Sequence, residues 1–112
     1  MSYPKLQIGS VANVFSRQMH FEKAGDFEMG HTHDFDHLTL LASGSLRITV
    51  DGQITDYKAP HMIYIHKDVN HELLALEDNT VTYCIHAIRD GETGDILDPA
   101  MIPKGVVVGY KL

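Results

Sequence analysis

The stretch His31-Thr32-His33-Asp34-Phe35-Asp36-His37 carries three imidazoles separated by two and then four residues. Side chains two apart on an extended strand share a face, with about 6.6 Å between their Cα atoms, so His31 and His33 can both address one ion. The even offset of His37 keeps it on that face while the strand runs straight. Imidazole nitrogens suit Zn, Fe, Cu, Ni and Mn, so the chemistry this spacing offers is that of a bound transition metal. A further histidine, His71, follows the apolar run Met62-Ile63-Tyr64-Ile65 and the polar loop Lys67-Asp68-Val69-Asn70. No other chemistry-bearing motif stands out: the chain has no GxSxG turn, no GxxxxGK loop and no CxxC.

The elements around these residues read as strands. Val, Ile, Thr and Tyr are frequent and turn signals arrive every 8 to 12 residues or so, the spacing of sandwiches and barrels. Asp51-Gly52 lies between two alternating runs, residues 46–50 and 53–57, and predicts a two-residue hairpin. Residues 1–17 read as a short edge strand. Residues 18–29 hold a strand and a Gly25-Asp26 turn that leads into the histidine stretch, with Gly30 giving the backbone freedom to turn. Residues 38–42 form a buried strand ended by Ser43-Gly44, and residues 72–76 and 81–88 flank Glu77-Asp78-Asn79-Thr80 as a second hairpin. Beyond Arg89 the chain turns to loops, Asp90 to Asp95 and Asp98 to Pro103, with a final strand at 106–110.

These residues resemble the two-motif signature of the cupins. The first motif, HxHx3–4E with a glycine seven residues after the acid, is matched by His31, His33, His37 and Gly44, and the histidine of the second motif by His71. Two departures stand out: His37 replaces the usual glutamate, and Ala59-Pro60-His61 replaces the Pro-Gly-Asp turn that opens the second motif. The first departure is similar to the four-histidine cupins, some of which are small manganese-binding proteins. The resemblance covers roughly residues 20–90. It implies an all-β fold, the cupin-type double-stranded β-helix or jelly-roll β-barrel. It also implies a divalent metal cofactor (Mn, Fe, Zn or Ni) held by His31, His33, His37 and His71. The expected layout is a single domain over 1–112, with an N-terminal arm (1–17), a core holding both motifs (18–89) and a C-terminal loop and strand (90–112). Arms of this kind in similar cupins pair across a dimer, so a homodimer is expected.

Four imidazoles leave the charge of a +2 ion uncompensated, and an ion that favours six ligands keeps two positions for water, oxygen or substrate. A structural zinc site is usually built from several cysteines, and this chain has only Cys84. An anionic or enolisable small molecule is the expected ligand or substrate. Cys84, by resemblance, points towards the ion, although a free cysteine is as often a buried small hydrophobe. His86 shares the strand face of Cys84 and is either a donor beside the ligands or an outward residue, because Val81, Tyr83 and Ile85 offer the more apolar face. These two are the candidate catalytic groups. His61 and His66 fall on opposite faces of a regular strand, so at most one faces inward; His20 reads as a surface or rim residue, and Asp34 and Asp36 as loop acids or orienting partners of the imidazoles.

Composition excludes several classes. A chain of 112 residues builds one modest core. A net charge of −6 argues against nucleic acid and against an anionic membrane surface. The lone Cys84 cannot close an internal disulfide, no apolar run approaches the ~20 residues of a membrane helix, and no basic leader opens the sequence, so a cytoplasmic protein is expected. The first functional reading is a metal-dependent enzyme of dioxygenase, isomerase or lyase type. The alternative is a non-enzymatic module that binds a small ligand or metal, and a structural subunit is a third.

Overall fold

At Asp51-Gly52 the backbone takes φ of 47° and 82°, the two positive values a type I′ turn requires, and Val50 pairs directly with Gln53 across it. The hairpin read from the sequence is therefore present. Arg47, opposite Asp56 in its register, donates two bonds of 2.8 and 3.1 Å to that carboxylate on the outer face and helps pin the pairing.

The computed structural model describes residues 2–11, 14–31, 36–66, 69–87 and 107–111. They form ten strands: β1 (Lys5–Val11), β2 (Val14–Phe21), β3 (Phe27–His31), β4 (His37–Ser43), β5 (Ser45–Val50), β6 (Gln53–Lys58), β7 (His61–Ile65), β8 (His71–Ala75), β9 (Thr80–Ala87) and β10 (Val107–Lys111). A six-stranded sheet runs β10-β1-β2-β9-β4-β7 and a four-stranded sheet runs β3-β8-β5-β6. From β2 to β9 the chain passes back and forth between the two, pausing only for the β5–β6 hairpin. The fold is all β, and no helix among the described residues is long and apolar enough to cross a membrane.

Period-two burial explains the packing. Along β2, Phe15, Arg17, Met19 and Phe21 are buried while the intervening residues are less so. Met19, Phe21, Leu41, Leu46, Ile48, Ile63, Ile65, Leu73 and Ala75 interlock as one core drawn from both sheets. Each large side chain so buried contributes about 1.5–3 kcal/mol.

Three expectations change. The N-terminal segment is not one edge strand: β1 lies between β10, which it meets in parallel, and β2, which begins at Val14 and crosses the expected boundary at residue 17. Its polar groups are paired within the chain, so an open arm no longer argues for a dimer. Second, residues 77–80 do not make a hairpin, because β8 pairs with β3 and β5 while β9 pairs with β2 and β4. Leu76 donates to the Ser45 carbonyl (2.9 Å) and Asn79, at φ 55°, to that of Glu22 (3.1 Å), which steers the chain from one sheet to the other. Third, Gly30 is not a turn: it lies within β3, at a register irregularity. The final strand runs from Val107; the loops expected at 90–95 and 98–103, and Lys67 and Asp68, lie outside the described residues.

The turn into β3 is tied down by buried Asp26. Burial opposes ionisation of its carboxyl, but the Lys23 amide (3.2 Å) and the Ser2 hydroxyl (3.0 Å) and amide (3.3 Å) donate to it and hold its pKa below the usual 3.8. A depressed carboxylate stabilises the fold above its unfolded pKa, and this contribution is lost as pH falls through the folded value. Asp26→Asn is expected to lower the denaturant midpoint at pH 7, with the gap to wild type closing below about pH 3.8. A gap that persists unchanged into acid would show that the carboxylate charge is not the cause.

Candidate functional site

The registers arrange the inward residues of the six-stranded sheet in rows. Phe15 pairs with His86, and Leu38 with Ile85, so His37 stands beside His86 one step further along. In the next row Arg17 pairs with Cys84 and Cys84 with Thr39; in the one after, Met19 pairs with Thr82 and Thr82 with Leu41. The opposite sheet supplies matching levels through β8, with His71, Leu73 and Ala75 all buried. The interior thus passes from a histidine level, through a mixed polar level, to an apolar one.

At the histidine level His37 and His71 are 5 % and 2 % exposed and meet from opposite sheets, with ring centroids 5.5 Å apart and planes at 52°. His71 lies 3.0 Å through Nδ1 from the Val69 carbonyl. A carbonyl only accepts, so Nδ1 carries the proton and the lone pair falls on Nε2, the arrangement that metal-ligating histidines adopt. In β3 the backbone of His31 is paired with His71, whereas Glu28 is paired with Leu73. Three residues on β3 thus match two on β8, and the extra residue restores His31 to a register position it would otherwise miss. The side chain of His31, and His33 and Asp34 altogether, lie outside the described residues. Among the described residues no group of three or more His, Cys, Asp or Glu gathers as a cluster able to hold an ion. Two imidazoles converging from opposite sheets, one with its tautomer set, nevertheless fit a divalent transition metal.

Of the candidate catalytic groups, His86 is buried and donates through Nδ1 to the Asp36 carbonyl (2.9 Å). It ties β9 to the residue just before His37. Cys84 keeps some accessible surface and lies 3.7 Å from the Thr39 hydroxyl; burial pushes its thiol pKa up, against smaller downward pulls from Thr39 and Arg17. A thiol held protonated is a weak base and a weak nucleophile. His61 and His66 are both exposed, tilted against Tyr57 (4.9 Å) and edge-on to Tyr64 (4.7 Å), so neither enters the interior. His20, partly exposed on β2, pairs with Asn79 at 3.1 Å, a rim position.

The sequence reading overlooked Arg17 and Glu28. Arg17 is 7 % exposed, and its Nη2 donates to Glu28 Oε1 at 3.0 Å across the gap between β2 and β3. Its Nη1 faces the Met19 sulfur at 3.6 Å, and Nε has no hydrogen-bond partner among the described residues. In the next row, Thr82 Oγ1 is buried in the same condition. Each such orphaned group costs about 1–3 kcal/mol, and removing either member of a buried ion pair costs about 3–5 kcal/mol. A signal was available: Phe15, Arg17, Met19 and Phe21 alternate as one apolar face with a single charge in it.

This architecture, two sheets between which the chain alternates, is the cupin-type double-stranded β-helix. No family model and no curated protein matches the sequence. Among solved structures the chain is similar to a cupin-2 domain protein from Shewanella frigidimarina (TM-score 0.63, 21 % identity, 76 % of this chain and 81 % of that one). It is similar also to KdgF from Halomonas sp. (TM-score 0.66, 15 %, covering 75 % and 79 %). A third is an RmlC-like cupin family protein with a double-stranded β-helix fold from Methanocaldococcus jannaschii (TM-score 0.64, 12 %, covering 76 % and 82 %). At these identities the likeness establishes the fold.

Proposed function

We propose that this is a metal-binding cupin in which His31, His33, His37 and His71 hold a divalent transition ion (Mn, Fe, Zn or Ni), and that it acts on a small anionic or enolisable metabolite. The observation that carries the reading is the convergence of His37 and His71 from opposite sheets, with the His71 tautomer fixed by the Val69 carbonyl. Such an ion, when bound, supplies Lewis acidity towards a chelating oxygen. The chain's own part is to orient the imidazoles, through Val69 for His71 and through the His86 bond to Asp36 for the strand entering His37, and to surround them with residues that exclude bulk water. The reactions compatible with this are of dioxygenase, isomerase or lyase type.

Burial holds Cys84 protonated, while the Asp36 carbonyl takes the Nδ1 proton of His86 and leaves its lone pair on Nε2, so His86 is the candidate base of the two; the second reading is a module that binds a ligand or metal without turnover. A homodimer is part of the proposal and is now supported by the outer face of the six-stranded sheet. There Leu38 and Tyr64, 39 % and 52 % exposed, are paired in register and Met62 is 55 % exposed. The test is elemental analysis of purified protein and of His37→Glu, which is expected to retain metal because a carboxylate replaces one donor by another. Addition of a 2-oxo acid to the cobalt-loaded protein is expected to shift its visible spectrum. Protein that takes up no metal defeats the proposal; metal that binds in a closed four-coordinate site, unresponsive to chelators, removes the enzyme and leaves the binding module.

A further inference from the structure

Arg17 and Glu28 sit one level below the histidines, where the interior turns from polar to apolar, and the proposed function leaves them without a task. Replacing a buried ion pair by apolar residues of similar volume is often neutral or stabilising, so packing alone does not call for these charges. The row beneath them, Met19, Thr82 and Leu41, is fully buried and mostly apolar, whereas Arg17 shares its own row with Cys84 and Thr39. A guanidinium has five N–H donors. Here one goes to Glu28, one faces a thioether, and Nε has no partner among the described residues. Thr82 Oγ1, buried and likewise unpartnered among them, sits in the adjoining row of the neighbouring strand.

We propose that Arg17 is the anion-recognising residue of the interior: it receives the carboxylate of a small ligand lodged between the sheets beside the histidine level, and Glu28 holds the guanidinium in place and competes with that carboxylate when no ligand is bound. The planar fork of arginine matches a carboxylate, and in a chain of net charge −6 an inward cation gives an anion its reason to enter. A single guanidinium already sharing its charge with Glu28 balances a monoanion better than a dianion, so carboxylate is favoured over phosphate. The proposal rests on the reading of this interior as a ligand site, and it assigns the specificity of that site to a residue outside the metal-ligand set.

The test is calorimetric titration with straight-chain carboxylates of two to six carbons, each against its neutral amide, and with inorganic phosphate, on protein with and without cobalt. Wild type is expected to bind at least one carboxylate tenfold or more tighter than its amide, and tighter than phosphate. Glu28→Gln is expected to raise carboxylate affinity severalfold, since the built-in competitor loses its charge. A pair with a merely structural role would instead lose stability in this variant and leave affinity unmoved. Because Arg17→Met strands a half-buried Glu28, the loss of anion recognition is read from the double variant Arg17→Met/Glu28→Gln. It leaves neither charge and is expected to keep a cooperative melt and its metal content while losing the preference for acid over amide. Equal binding of acid and amide by wild type, preference retained in the double variant, a weaker or unchanged Glu28→Gln, or no carboxylate binding overturns the inference. Metal uptake intact with any of these outcomes sinks this inference alone, and acid preference intact in protein that takes up no metal sinks the proposed function alone.

Discussion

His71→Ala is expected to lower metal affinity by at least about 100-fold, because even the hydrogen-bond partners of metal-binding histidines are worth 10–100-fold and His71 is proposed as a ligand itself. Metal content after dialysis against a weak chelator, measured by elemental analysis, checks it. His71 is the sharpest position for the test since its ring is buried at the meeting of β8 with β3 and β5 and its tautomer is fixed by Val69. The contrast set lies within the same sequence neighbourhood. His61→Ala and His66→Ala remove exposed rings that lie against tyrosines and are expected to leave the metal untouched. His86→Ala cuts the bond to the Asp36 carbonyl and is expected to cost no more than about tenfold, through the placement of the residue before His37. Metal retained by His71→Ala to the same extent as by His66→Ala would remove His71 from the ligand set.

How far the sequence carries depends on whether local chemistry or tertiary context decides an element. Asp51-Gly52 was legible because its turn type is set by the two residues themselves. The connection between β8 and β9 was not, since the sequence from 71 to 87 looks the same whether the second strand folds back beside the first or crosses to the facing sheet. What decides it is pairing with β2 and β4, far away in the chain. The same limit hid the direction of β9. Val81, Tyr83 and Ile85 form its more hydrophobic face, yet Thr80, Thr82 and His86 are the buried set, with Cys84 on their side. Three threonines, Thr39, Thr80 and Thr82, line an interior that composition would assign to the outside, because the outer face is itself apolar on neighbouring strands, with Leu38 opposite Ile85 and Leu40 opposite Tyr83. Arg17 was missed for a different reason: dividing the chain at residue 17 cut through β2 and broke the alternation that marks Arg17 as an inward charge. The four-histidine pattern gave the cupin fold, while the placement of His37 against His71 needed both sheets.

Gly44, the glycine of the first motif, is expected to be the position least tolerant of a methyl group. It forms the corner at which β4 ends in one sheet and β5 begins in the other, at φ 81°. Its carbonyl accepts from the Ala59 amide (3.0 Å), which ties in the β6–β7 corner. A Cβ added there would fall 2.7 Å from the Cα of Thr80 and still closer to Thr80 Oγ1. Thr80 cannot move aside: it is fully buried, its hydroxyl accepts from the Ser45 amide (3.3 Å) and it lies within bonding distance of the carbonyls of Ser45 (3.2 Å) and Glu77 (2.9 Å). Gly44→Ala is therefore expected to destabilise the fold by about 3 kcal/mol or more, a large share of the 5–15 kcal/mol that holds a typical domain together. Gly25 and Gly52 provide the internal control, with φ of 95° and 82° but nothing within 4 Å of the added Cβ. Alanine at either is expected to cost only the backbone penalty, about 1–2 kcal/mol. Denaturant unfolding of the three variants separates conformational strain, common to all, from the collision peculiar to residue 44. Thr80→Ala in the Gly44→Ala background would remove the hydroxyl from the clash but not the Cα, so it is expected to recover little of the loss. Equal midpoints for the three alanine variants, or full recovery on removing the Thr80 side chain, would show that the close approach of the two backbones is not what reserves this corner for glycine.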